Sequence, residues 1–449
     1  LGDVYKRQMF SNKFICKLIV PLIFEQLLAV SVGMVDTFMV SIVGQVAVSG
    51  VALVDNINRL IIQIMAAFAT GGVVIASQYF GCDDRVRARH TCAQLETIMM
   101  IFSVVAALIF CVFTSPILSL IFGSIEKDVM DCATTYLFIT ALSYPFLGMY
   151  NAGAAIFRSV GNSKISMNIS LLMNAINIVL NAVFVFGAGI GVAGVALATL
   201  ISRVVAGVVM TIFALSKKNP MAVHNLKKYI PKKAFVVRIL KIGIPSGIEN
   251  GMFQIGKIVV VSMVATLGTD AIAANSIAFQ VIDFPNIPGT AIGLSMVTII
   301  GQCLGAGSAE DAKVYTKKLM KLTYLSDWVC KLLLLVTAPY IVSLFSLSPS
   351  ATETAVFVLR CFSIASLPVW PLSFALPNSL RAAGDVNYSL GVSMISMWVF
   401  RIICSYVMVM VLGWGVLGVW LGMFIDWYAR GVAYLARYLS GKWKKHRVI

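Results

Sequence analysis

PLIFEQLLAVSVGMVDTFMVSIVG (residues 21–44) and PSGIENGMFQIGKIVVVSMVATLG (residues 245–268) decide the architecture, because the second stretch is the first displaced by 224 positions. A proline opens both, a glutamate stands fifth in both (Glu25, Glu249), and a glycine closes both (Gly44, Gly268). Outward from there, the same displacement sets Gln78 on Gln302 and Gly81 on Gly305 without a gap. One residue of slack then pairs Pro145 with Pro368, Arg158 with Arg381 and Gly161 with Gly384. The spacing of 224 returns where Gly189, Gly191, Gly194 and Gly207 meet Gly413, Gly415, Gly418 and Gly431. A long duplication of apolar segments is the architecture of many secondary transporters, whose path lies between the repeats.

The composition agrees. Hydrophobic residues make up 59% of the chain and charged residues 12%, against roughly 25% charged in a soluble domain. Twelve apolar spans are expected, roughly 14–42, 51–80, 95–122, 133–157, 165–187, 190–215, 242–267, 271–304, 319–346, 353–380, 388–412 and 415–438. About 20 apolar residues cross a hydrocarbon core ~30 Å thick, so the fold class is an all-α integral membrane protein. Lys and Arg crowd one set of loops and both ends, while the opposite loops hold Lys127 alone, beside Glu126, Asp128 and Asp131. The positive-inside rule puts both termini in the cytoplasm of a multi-pass plasma (inner) membrane protein. The net charge of +16 is therefore a topology signal, and no nucleic-acid partner is expected.

Six spans per half is an even number, so the two six-helix repeats enter from the same side and run parallel. The expected organisation is an N-terminal lobe at 9–215, a basic cytoplasmic linker at 216–241, a C-terminal lobe at 242–438 and a basic tail at 439–449. The linker carries Lys217, Lys218, Lys227, Lys228, Lys232 and Lys233, suited to anionic headgroups. Residues 1–8, LGDVYKRQ, read as a sequencing or assembly scar, with Met9 as the expected initiator. The apolar run from Phe14 is too long for a signal-peptide core and is expected as a retained span. Nine scattered cysteines without a CxxC pair and three histidines in basic loops or the tail argue against a metal site.

Three stretches resemble the multidrug and toxic compound extrusion (MATE) family. They are residues 21–53, with Asp36 before an outer-loop glycine; NAINIVLNAVFVFGAGIGVAGVALAT (174–199); and LRAAGD (380–385) with its first-half partner FRSVGN (157–162). The resemblance runs from about Lys13 to Lys445. It implies two six-helix bundles forming a V-shaped cleft, and export of amphipathic, usually cationic compounds in exchange for H⁺ or Na⁺, with no other cofactor. A monomer in the bilayer acting on small molecules is expected, and an enzyme is not, since no HxxxD or DDxxD cluster lies at a membrane edge. A lipid-linked oligosaccharide flippase shares the architecture and stands as the alternative. The sequence departs from the family in its fifth span, where Asn177 is followed by Asn181-Ala182 instead of Asp-Pro, and no acid lies between Phe362 and Leu380.

Charges inside the bilayer are costly, ~2.5 kcal/mol or more each at a helix centre, and so need a reason. Asp36 stands near the outer end of span one, with Asn177 and Asn181 at similar depth on span five. They read either as an oxygen-rich ion-coupling site or as a structural hydrogen-bond knot. Three acids have a base four residues on: Asp55 with Arg59, Asp327 with Lys331, and Asp426 with Arg430. That spacing suits a neutralising pair on one helix face. Arg59 is also the repeat partner of Asp283, which makes these two a candidate gate. Glu25 and Glu249 are repeat equivalents expected to border the substrate cleft, and Lys257, two turns beyond Glu249, reads as its counter-ion or as part of an anion path.

Overall fold

The structure is a computed structural model, and it describes residues 9–123, 126–216, 219–222, 224, 226–345, 347–446 and 448–449. The expected scar at 1–8, like Lys217 and Lys218 of the expected linker, lies outside the described residues. The described chain is helical, and it divides into two compact units, Ser11–Gly247 and Ile248–Ile449, the second including Phe10.

In the first unit the helices are α1 (Asn12–Val43), α2 (Gln45–Gly81), α3 (Arg85–Val112), α4 (Thr114–Phe122), α5 (Lys127–Ala141), α6 (Tyr144–Ser159), α7 (Ser163–Gly187) and α8 (Val192–Leu215). Helix α1 packs on α7, α7 on α8, and α6 on α3 and α8. An apolar core of Val51, Val54, Leu137 and Val195 joins α2, α5 and α8. The linker is not a free tether. Gln94 of α3 donates from Nε2 to the carbonyls of Lys228 (2.6 Å) and Ile230 (2.9 Å) and accepts from the Lys232 amide (2.7 Å), so this segment packs with the first unit. The boundary between units falls inside α9 (Lys233–Ala265), a few residues beyond the expected start of the second lobe.

The second unit continues with α10 (Thr269–Gly305), α11 (Ala309–Ser343), α12 (Pro349–Ala365), α13 (Leu376–Ala382), α14 (Val386–Val411) and α15 (Gly415–Leu439). Its core sets Phe362 against Trp420 and Trp427, and Trp420 against Phe424, edge to face with centroids 6.0–6.2 Å apart, a geometry the ring quadrupoles favour. Nine helices among the described residues are long and apolar enough to cross a membrane, and α5 with α6, bent by 47°, supplies a tenth. The remaining two expected spans correspond to residues 349–382 and α15. In the first, the chain breaks into α12 and α13 of 17 and 7 residues, and in α15 Asp426 and Arg430 lower the hydropathy.

The repeat is visible in the backbone. Gly161 and Gly384 both adopt left-handed φ, +81° and +86°, which costs glycine nothing. A Cβ there would meet Phe14 at 2.3 Å and Val448 at 2.4 Å. The slack in the repeat has a structural counterpart in α14, whose segment Ser396–Ile403 is π-helical. A π turn accommodates an extra residue in an α-helix, and here it restores the offset from 223 to 224 between Gly384 and Gly413.

Candidate functional site

The first unit gathers the expected polar residues at one place. Asn181 Nδ2 donates to Asp36 Oδ1 (2.7 Å) and to Asn177 Oδ1 (3.1 Å), and Asn177 Nδ2 donates to Thr199 Oγ1 (3.3 Å). Helices α1, α7 and α8 each contribute, and the four-residue spacing of Asn177 and Asn181 sets both amides on one face. Asn177 and Asn181 are buried, Asp36 partly so. With its amide group committed, Asn181 Oδ1 is a buried acceptor with no donor among the described residues. An orphaned acceptor beside a carboxylate is a donor set for a small hard cation, which takes oxygen ligands. Among the described residues no three His, Cys, Asp or Glu side chains converge as a metal site.

Around this site stand Asp55, which the sequence reading paired with Arg59, and Arg203, which it passed over. Asp55 and Arg203 lie within electrostatic range of Asp36. Arg203 donates from Nη1 to Ser143 Oγ (2.9 Å), Asn58 bonds Asp55, and Tyr144 donates to Asn58 Oδ1 (2.8 Å). Arg203 was legible as a cation inside an apolar span.

Of the three acid–base pairs expected one turn apart, two form. Lys331 Nζ meets Asp327 at 2.9 Å with both side chains fully buried, and Arg430 Nε lies 3.3 Å from Asp426. Asp426 is also held by Arg401 at 2.9 Å, a partner from α14 that spacing on one helix does not reveal. Asp55 and Arg59 do not come within ion-pair distance; Arg59 is exposed on α2, and Asp55 takes its bond from Asn58. Asp283 is exposed on α10 in the second unit.

Glu25 and Glu249, equivalent by repeat, have different surroundings. Glu25 is half-buried and accepts from Ser166 (2.9 Å) and Tyr150 (3.3 Å). Glu249 is buried, meets Arg381 Nη2 at 2.8 Å and accepts from Ser393 (2.7 Å). Its counter-ion is thus Arg381, while Lys257 lines a small cavity with Arg401.

The MatE family model matches residues 21–183 and again residues 245–407, two copies offset by the same 224 positions. The chain belongs to the MATE family. Curated relatives include an uncharacterized transporter, YisQ, of Bacillus subtilis strain 168, 29% identical over 94% of this chain and 93% of its own length. Another is the probable multidrug resistance protein NorM of Thermotoga maritima, 26% identical over 98% and 94%. Among solved structures, the outward-facing conformation of a multidrug resistance MATE family transporter of the MOP superfamily aligns with TM-score 0.90 at 21% identity, covering 96% of both chains. This MATE protein is therefore a multi-pass membrane transporter with a two-repeat helical fold, not an enzyme.

Proposed function

We propose that this MATE protein is an antiporter of the inner membrane that exports amphipathic, cationic small molecules in exchange for H⁺ or Na⁺ bound in the first unit. The observation that carries the reading is the Asp36–Asn181–Asn177 cluster, where one carboxylate shares a hydrogen-bonded face with a buried orphan oxygen. A carboxylate without a base in ion-pair contact can change its charge by binding a cation, which a neutralised one does at far greater cost. The names of the relatives, among them the multidrug export protein MepA of Staphylococcus haemolyticus at 28% identity, support export over flipping of a lipid-linked oligosaccharide. The one-sided distribution of Lys and Arg supports cytoplasmic termini. In this reading Glu25 attracts the cationic substrate, and Arg59 and Asp283 act as repeat-matched gating charges. The test is dye or drug efflux in a pump-deficient host, with a protonophore and with Na⁺ withdrawn. Extrusion abolished by one of these treatments is expected, and extrusion indifferent to both overturns the reading.

A further inference from the structure

The repeat offset relates the interiors of the two units residue by residue. Adding 224 to Asp36, Asp55, Asn177 and Thr199 gives Val260, Phe279, Arg401 and Met423. All four line one small cavity in the second unit, together with Lys257, the counterpart of Gly33. The correspondence is spatial as well as numerical: Asn177 bonds Thr199 in the first unit, and Arg401 and Met423 share a cavity wall in the second. At this equivalent position two acids have become apolar and an amide has become a guanidinium. The polarity of the site is inverted.

Charge counting points the same way. Arg401 and Arg430, each 3% exposed, share the single carboxylate of Asp426, itself fully buried. The cluster thus carries one positive charge in excess inside the bundle, where an uncompensated charge is costly. Phe253 faces both guanidinium groups at 4.8 Å, which offsets the cost only in part. Glu249, within electrostatic range of Arg430, is committed to Arg381, and the Lys331–Asp327 pair is closed on itself, so neither supplies spare negative charge. Arg401 Nε, buried beside the cavity, has no hydrogen-bond partner among the described residues. Arg401 also sits on the π-helical segment of α14, and π turns recur at functional sites.

We propose that this cavity binds a small monovalent inorganic anion of halide size, held by Arg401 beside Lys257. The space is small, at the lower limit for a single water molecule, so polyatomic phosphates are excluded and a halide, larger than water, enters as the apolar walls give. Its remaining walls, Val260, Phe279, Val419, Trp420 and Met423, suit a weakly hydrated ion. A water molecule would satisfy Arg401 Nε but leave the excess charge. The site stands apart from the coupling reading, because its readout is binding and not transport.

The test is thermal unfolding of the full chain in detergent, in sodium chloride, sodium bromide and sodium gluconate at equal ionic strength. Chloride and bromide are expected to raise the midpoint over gluconate, saturably and by on the order of 1–3 °C. Arg401→Gln should abolish the difference. Val260→Asp, which installs the first-repeat carboxylate as a built-in anion, should abolish it too while keeping Arg401. Equal midpoints in chloride and gluconate for the unmodified protein would mean that water fills the cavity, and would overturn the proposal. So would an undiminished chloride response in either variant that folds.

Discussion

Asp36→Asn separates the proposed coupling role of the first-unit cluster from its structural one. The substitution is isosteric, and Asn181 Nδ2, now 2.7 Å from a carboxylate oxygen, still has an acceptor. What is lost is the difference between a charge-assisted bond of ~1.5–3 kcal/mol and a neutral one of ~1 kcal/mol. Removing a charge from the apolar interior returns a comparable amount, up to ~2.5–3.5 kcal/mol at a helix centre. Folding stability and membrane expression should therefore change little. Coupling should be lost outright, because an amide binds no proton and presents a cation with no negative charge.

The size of that loss follows from the gradient. One proton crossing one pH unit releases ~1.4 kcal/mol, and ~100 mV adds ~2.3 kcal/mol per charge. Exchanged one for one with a neutral compound, the sum of roughly 3.7 kcal/mol supports an accumulation ratio of about several hundred. For a monovalent cation the electrical term cancels, and about tenfold remains. Proteoliposomes loaded with a fluorescent amphipathic cation, under an imposed pH or Na⁺ gradient, read the ratio directly. The wild type should exceed unity by these factors, and Asp36→Asn should relax to the passive distribution. A variant that still accumulates dye, and loses it when the gradient is collapsed, would refute the assignment and move coupling away from Asp36.

Three further outcomes are expected. Asn181→Leu removes the donor shared by Asp36 and Asn177, which should lower stability by about 1–3 kcal/mol and weaken coupling; an unfolding midpoint equal to wild type would count against the shared bond. Arg381→Met leaves Glu249 buried with its counter-charge gone and should cost about 3–5 kcal/mol, largely recovered in the double variant with Glu249→Gln; absence of recovery would show that Arg381 stabilises by another route. For the gate, Arg59→Asp combined with Asp283→Arg should restore transport lost in either single variant, and a double variant as inactive as the singles removes that pair from the cycle.

The duplication and the spans were legible because apolar length and turn glycines leave direct marks in sequence: Gly161 and Gly384 are glycine because the chain turns there with positive φ. The Asp36–Asn181 contact was legible for a related reason. Polar side chains in apolar spans are few, and helix direction fixes their depth. The π-helical stretch at Ser396–Ile403 was not legible, since an extra residue in a helix changes register without changing composition. Pairing rules based on helical spacing found Asp327–Lys331 and half of the Asp426 cluster. They missed Arg381 on Glu249 and Arg401 on Asp426, which join different helices. The signal that finds Arg401 is the repeat itself, because position 401 is position 177 displaced by 224.

That asymmetry bears on where ion coupling resides. In the second unit Glu249 is held by Arg381, Asp327 by Lys331, Asp426 by Arg401 and Arg430, and Asp385 by Arg437. Protonating Asp327 would strand Lys331, which is fully buried, at a cost of about 3–5 kcal/mol. That is comparable to the whole driving force of roughly 3.7 kcal/mol worked above. Asp36 has no base within ion-pair distance: its hydrogen-bond partner is the amide of Asn181, which tolerates either charge state of the carboxyl, and Arg203 acts on it only at longer range. A carboxylate whose partner is neutral is the one a modest ion gradient can switch. On the proposed reading the first unit supplies the switchable acid, while in the second Glu249, Asp327, Asp385 and Asp426 are each committed to arginine or lysine.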